Sequence, residues 1–162
     1  MTLRIISAAA LFLVANVALA QAPVVGKTDA GEQRALLKSP IAQLANNKKL
    51  VFDFWREVLE AHHMDVAEKY LAEGYIQHNP MVASGRKGFV DFFSKLPVRD
   101  IKPAISDPVV SIVAERDLVV LSFVQVNDDP HDKTKKYTTT WFDMFRIENG
   151  KIAEHWDCAT RS

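Results

Sequence analysis

A single cysteine, Cys158, in 162 residues leaves no partner for an internal disulfide, so stability has to come from packing whatever the redox compartment. Cys158 reads as a small strand residue rather than a reactive thiol. Excess charge is also missing: 20 basic residues balance 20 acidic ones. Without a basic stripe the chain lacks the electrostatic footprint of a nucleic-acid binder, and Lys133-Thr-Lys-Lys136 reads as a solvated loop. No G-x-S-x-G elbow occurs, which argues against a hydrolase-type serine nucleophile. No H-E-x-x-H or similar zinc spacing occurs either, so no metal is assigned. Internal repeats and low-complexity tracts are absent.

Long apolar runs are missing too, except at the N-terminus. Arg4 precedes an apolar stretch from Ile5 to Ala15 and beyond, and Ala18-Leu-Ala20 precedes Gln21. This is the pattern of a secretory signal peptide over residues 1–20, cleaved after Ala20, which implies a periplasmic or secreted protein with no membrane attachment after cleavage. A membrane anchor competes, because the stretch approaches the ~20 residues of a span; its small-residue end favours cleavage. Residues 21–45, with Pro23, Gly26, Gly31 and Pro40, read as a leader with one short helix near Gln33–Lys38. Residues 46–162 form one domain with a single core.

Within that domain Leu50, Val51, Phe54, Trp55, Val58, Leu59 and His62 recur at helical spacing opposite a charged face, which predicts a long helix. His62 and His63 close it, where cationic side chains suit the dipole. Asp65 with Glu68 resembles a capping box opening a second helix through Leu71, ended by Gly74. Pro80 then forbids helix at Asn79, leaving His78 at a helix-to-loop junction. A third helix is expected between Gly85 and Val98, with Phe89, Phe92, Phe93 and Leu96 on one side. Beyond Pro103 the period changes to two, predicting strands at Val109–Val113, Leu118–Val126, Tyr137–Ile147 and Lys151–Thr160. Helices first and antiparallel strands afterwards indicate an α+β domain with helices on one face of the sheet.

The last hairpin carries the most information. His155 and Asp157 stand two residues apart in a strand, so they project from one face. Asn149-Gly150 fits two turns. A two-residue loop sets Met144 opposite His155. A three-residue loop sets Asp143 opposite His155 and Trp141 opposite Asp157, gathering both acids and the imidazole on one face. The second is favoured because it gives His155 a carboxylate to orient it; a slip of one residue would send Asp143 to the other side. Arg146 falls on the face opposite Asp143, with Glu154 as its cross-strand option.

Phe54-Trp55, Tyr75-Ile-Gln-His-Asn-Pro80, Gly85, Phe89, Phe92-Phe93, Asp143-Met-Phe-Arg146 and Gly150-Lys-Ile-Ala-Glu-His-Trp-Asp157 together resemble the SnoaL-like proteins. That group includes polyketide cyclases and predicted aldol-condensation enzymes within the nuclear-transport-factor-like superfamily. The resemblance implies a cone-shaped α+β barrel: a curved antiparallel sheet, about four long strands plus a short one, wraps a long N-terminal helix, with two further helices. It also implies a pocket at the wide end and a homodimer through the outer sheet face. The family's proposed acid/base aspartate matches Asp157, and His155 lies beside it.

A pocket walled by Phe54, Trp55, Tyr75, Phe89, Phe92 and Trp141 would strip water from a carboxylate and move its protonation toward the range useful near neutrality. Asp157 would then take a proton from carbon beside a carbonyl. His155 or His78 would donate a hydrogen bond to the enolate oxygen, and Asp143 would fix the tautomer of His155. The expected ligand is a small, apolar carbonyl compound, and cyclisation, isomerisation or aldol chemistry of this kind needs no cofactor. The competing reading makes His155 and its acids a buried ion pair that fixes strand register in a protein that binds without catalysing.

Overall fold

The computed structural model describes residues 22–161. The expected signal peptide lies outside them, and among the described residues no helix is long and apolar enough to cross a membrane. Helix α1 spans Ala30–Ala35, and Asp29 caps it by accepting hydrogen bonds from the Gly31 and Glu32 amides. Helix α2, Ala42–Phe54, starts eight residues before Leu50, the first residue of the helical pattern in the sequence, and continues as a π-helical turn over Trp55–Glu60. Its inward stripe of Val51, Phe54 and Val58 is fully buried.

Residues 22–45, read as a leader, are tied to the domain. Lys27 bridges Val109 through two backbone hydrogen bonds. Gln33 is buried, and its side-chain amide bonds both the N–H and the C=O of Ile105, taking the place of a strand partner.

The second helix is shorter than its capping signal implied. A 3₁₀ turn at Met64–Val66 leads into α3, Ala67–Tyr70, and the chain becomes extended at Leu71. Strand β1 then runs Leu71–Gln77, so Gly74 sits inside a strand instead of ending a helix. Glycine at φ 87°, in the left-handed region that a side chain would strain, brings the chain from Gly85 into α4, Arg86–Phe93.

Strands β2 (Val109–Glu115), β3 (Leu118–Asp128), β4 (Lys136–Glu148) and β5 (Lys151–Asp157) complete a curved five-stranded sheet ordered β1-β5-β4-β3-β2. Only β1 is parallel to its neighbour, lying along β5 at the sheet edge. The α2 helix packs into the concave face, where Phe54 meets Tyr70, Phe89 and Phe145 at ring-centroid distances of 5.9, 5.9 and 6.1 Å.

The β4–β5 turn is the two-residue loop, but the register beyond it follows neither expectation. Asn149 and Gly150 both have positive φ, 51° and 73°, the two-residue turn matched to strand twist. Ile147 accordingly pairs with Ile152, but Arg146 pairs with Glu154, leaving Ala153 as a bulge. That extra residue reverses which side faces inward from Glu154 onward. Phe145, and neither Met144 nor Asp143, therefore stands opposite His155, and Asp143 instead of Trp141 stands opposite Asp157. Asp143, His155 and Asp157 still share the concave face, as the three-residue loop required, because the two registers differ by two residues.

Candidate active site

Strand β5 delivers His155 and Asp157, β4 delivers Asp143, and the edge strand β1 with the turn after it delivers Tyr75, Gln77 and Asn79. These groups line a cavity of about 170 Å3 whose apolar walls include Phe54, Trp55, Phe89 and Phe145. Alternation explains the third contribution: in Tyr75-Ile-Gln-His-Asn79 the odd positions face inward and the even ones outward. Ile76 is exposed, and His78 stacks flat on Trp156, centroids 5.0 Å apart, while its Nε2 lies 2.8 Å from Glu154 Oε1.

His78 is thus on the outer face, away from the pocket it was expected to serve. Glu154 also accepts from Arg146 Nε at 2.8 Å, the cross-strand pair anticipated from sequence. Phe92 is exposed and meets Phe93 edge-on; Phe93, one position later on α4, lines the cavity in its place. Trp141 lines an adjoining groove with Phe123 and Val126, sharing Trp55 with the pocket. Cys158 is exposed rather than packed.

Gln77 settles the imidazole tautomer, a task the sequence assigned to Asp143. Its Oε1 accepts the Asn79 backbone N–H at 2.9 Å, which identifies that atom as the oxygen, and lies 2.8 Å from His155 Nδ1. Nδ1 must therefore carry hydrogen and donate to it. His155 Nε2 then faces Asp143 Oδ1 at 3.0 Å, and one proton has to lie in that contact. Whichever atom holds it, the pair is neutral overall.

Burial pushes the Asp143 carboxyl above the ordinary carboxylate range, opposed by its bond to His155. Its second oxygen, Oδ2, is buried without a hydrogen-bond partner among the described residues. Asp157 is held from two sides, Oδ2 accepting from Asn79 Nδ2 at 2.6 Å and Oδ1 from the Ala159 amide at 2.9 Å.

A carboxyl whose pKa is raised by folding stabilises the fold below its unfolded value, here 3.8, and that contribution is lost as pH rises through the raised value. Wild type should therefore lose stability relative to Asp143→Asn as pH increases from about 4 toward neutrality. Urea midpoints of the two proteins across that range check this; parallel profiles would mean that folding leaves the Asp143 carboxyl unshifted.

Ligand atoms of Asp143, His155 and Asp157 lie within 4.8 Å of one another, close enough to hold a small cation. The Nε2–Asp143 contact is already bridged by a proton, which a cation would have to displace. A larger cleft of about 330 Å3 lies elsewhere, against Arg56, Glu60, His62, Arg99, Lys102 and Asp107. It mixes both charge signs and holds none of the three groups above. His62, expected to cap its own helix, instead places Nδ1 2.7 Å from the Pro97 carbonyl.

Residues 49–161 match the family model described as SnoaL-like polyketide cyclase. Among solved structures, a candidate polyketide cyclase from Acidithiobacillus ferrooxidans is 19% identical with TM-score 0.51, over 74% of this chain and 89% of that one. TsrD from Streptomyces laurentii is 22% identical over 74% and 90%, TM-score 0.44. A nuclear-transport-factor-2-like protein of unknown function from Burkholderia pseudomallei is 14% identical over 69% and 88%, TM-score 0.49. At such identity the first of these speaks for the fold alone. A comparison with curated proteins found no match. With its sheet order, helix-filled concave face and matched span, the chain belongs to the SnoaL-like polyketide cyclase family.

Proposed function

We propose that this protein is an exported enzyme that performs cofactor-free acid/base chemistry, of cyclisation, isomerisation or aldol type, on a neutral carbonyl compound. One observation carries the reading: Asp157, gripped by Asn79 and Ala159, shares an apolar cavity with a second, buried carboxyl. Two acids in such different surroundings are the arrangement that separates a proton acceptor from a proton holder. Asp157 takes the proton from carbon beside the carbonyl, and the electron pair moves onto the carbonyl oxygen. Asp143 and His155 form a neutral wall beside it. Among the described residues no Lys or Arg lines the cavity, so no fixed positive charge there draws an anionic substrate.

A binding protein without turnover is the second reading, supported by the way His155, Gln77, Asn79 and Asp157 satisfy one another. Proton exchange separates the two. With acetylacetone as a small neutral probe in deuterated buffer, the enzyme reading expects the protein to accelerate loss of the α-proton signal above the buffer rate. Binding of the probe with no acceleration between pH 5 and 9 (a range of about two units either side of neutrality, which spans the useful pKa values of a general base) would leave only the binding reading.

A further inference from the structure

We infer that the Tyr75 hydroxyl is the group that donates a hydrogen bond to the oxyanion formed in the pocket, and that Gln77 is the positioning residue that keeps this hydrogen available. The inference rests on the reading of Asp157 as base and assigns the other half of the reaction.

An enolate oxygen needs a donor, and the imidazole beside Asp157 is the obvious choice. His155 cannot serve, because Nδ1–H is committed to Gln77 and Nε2 is committed to Asp143. His78 is on the far side of the sheet. Tyr75 is different. It is 1% exposed, lines the cavity, and its oxygen accepts a hydrogen bond from Gln77 Nε2 at 3.1 Å.

Because Gln77 Oε1 is fixed by the Asn79 amide, its Nε2 must be the atom facing Tyr75, and an N–H there can only donate. The phenol oxygen receives that hydrogen on a lone pair, so its own O–H points elsewhere. No protein acceptor for that O–H lies within hydrogen-bonding distance among the described residues. Burial, with Asp157 and Asp143 adding to it, pushes the phenol well above its ordinary range, which keeps the hydroxyl protonated as a donor. The ring is held edge-on against Phe89, centroids 5.9 Å apart, so the hydroxyl is fixed before any ligand arrives. A donor set in place in a dry pocket stabilises a developing oxyanion without reorganising.

The chemistry balances within the site. Asp157 gains the α-proton, the carbon–hydrogen electron pair becomes the enolate, and its oxygen accepts the Tyr75 hydrogen without taking it. Return of the proton from Asp157 to another carbon completes an isomerisation; in a ring closure the enolate carbon attacks a second carbonyl, whose π pair moves onto its oxygen, and the alkoxide so formed takes the proton back from Asp157.

A phenolate reproduces the enolate oxygen, and Asp157→Asn reproduces the base after it has gained a proton. The test is binding of 4-nitrophenol to Asp157→Asn, read from the phenolate absorbance band and by titration. Adding Tyr75→Phe should weaken phenolate binding ~10- to ~100-fold, the worth of a hydrogen bond to a charged group. Gln77→Glu in the same background should weaken it to a similar extent with the hydroxyl still present, because a carboxylate accepts the Tyr75 hydrogen and withdraws it from the pocket. Gln77→Glu also keeps the test open if Tyr75→Phe does not fold. Phenolate binding that is absent from Asp157→Asn, or unchanged by both substitutions, overturns the assignment. Failure here leaves acetylacetone exchange by wild type unaffected, so it is distinguishable from failure of the Asp157 reading.

Discussion

Asp157→Asn should fold and lose proton-transfer rate by roughly 10²- to 10⁴-fold, the range that a positioned acid or base supplies. Asparagine keeps the shape of the side chain but removes the lone-pair basicity that the reaction draws on. It also has one acceptor where Asp157 uses two, so its N–H₂ must face either Asn79 Nδ2, which donates to Asp157 Oδ2 at 2.6 Å, or the Ala159 amide, which donates to Oδ1 at 2.9 Å, and stability should fall by about 1–3 kcal/mol. That loss is tolerable for a domain with ordinary stability of ~5–15 kcal/mol. The two effects separate when exchange of the acetylacetone α-proton is measured per folded molecule, with the folded fraction taken from urea titration. Undiminished exchange per folded molecule would assign Asp157 to the architecture and end its role as base.

Phe54→Ala should produce the largest change in stability. Phe54 is 1% exposed and lies at the centre of an aromatic cluster with Tyr70, Phe89 and Phe145, at the point where α2 meets the concave face of the sheet. Removing its ring deletes transfer energy and leaves a void that three surrounding rings cannot close, which costs about 3–5 kcal/mol. Because Phe54 also walls the cavity, the void opens into it and water enters beside Asp143. Urea denaturation checks the magnitude. A loss below about 1 kcal/mol would show that the helix and sheet do not depend on this contact. Phe54→Leu, which refills part of the volume, should recover a substantial share.

Both outcomes depend on a core whose pattern is easily read. The stripe Val51, Phe54, Val58 and the period-two runs from Val109 to Asp157 disclosed a helix in a sheet, because burial on one face writes its own spacing into the chain. Tyr75-Ile-Gln-His-Asn79 is less transparent. A second helix ended by Gly74 leaves this segment as a junction and makes His78 conspicuous as a titratable group. Read as a strand, the same five residues place Tyr75, Gln77 and Asn79 inward and His78 outward. The needed signal was present in the alternation; what hid it was a parallel edge strand with a glycine inside, which looks locally like a break.

Phe92 illustrates a second cause. Phe89, Phe92 and Phe93 fit one helical face equally well, and only the angle at which α4 meets β1 and α2 decides that Phe89 and Phe93 face the cavity while Phe92 meets solvent. Trp141 faces the concave side as its parity requires, yet lies far enough along β4 to line the neighbouring groove.

By itself the amino-acid order determined the α+β class, the long helix, the strands after Pro103 and the pairing of His155 with Asp157 on one face, since each follows from side-chain period along a single segment. Tertiary structure decided which face that was. Ala153 bulges from β5 and turns both groups inward, and β1 comes alongside to supply Gln77, Asn79 and Tyr75. The docking of β1 depends on backbone hydrogen bonds between segments some 80 residues apart, such as His78 N–H to His155 C=O, and no local spacing encodes the partner of a backbone amide.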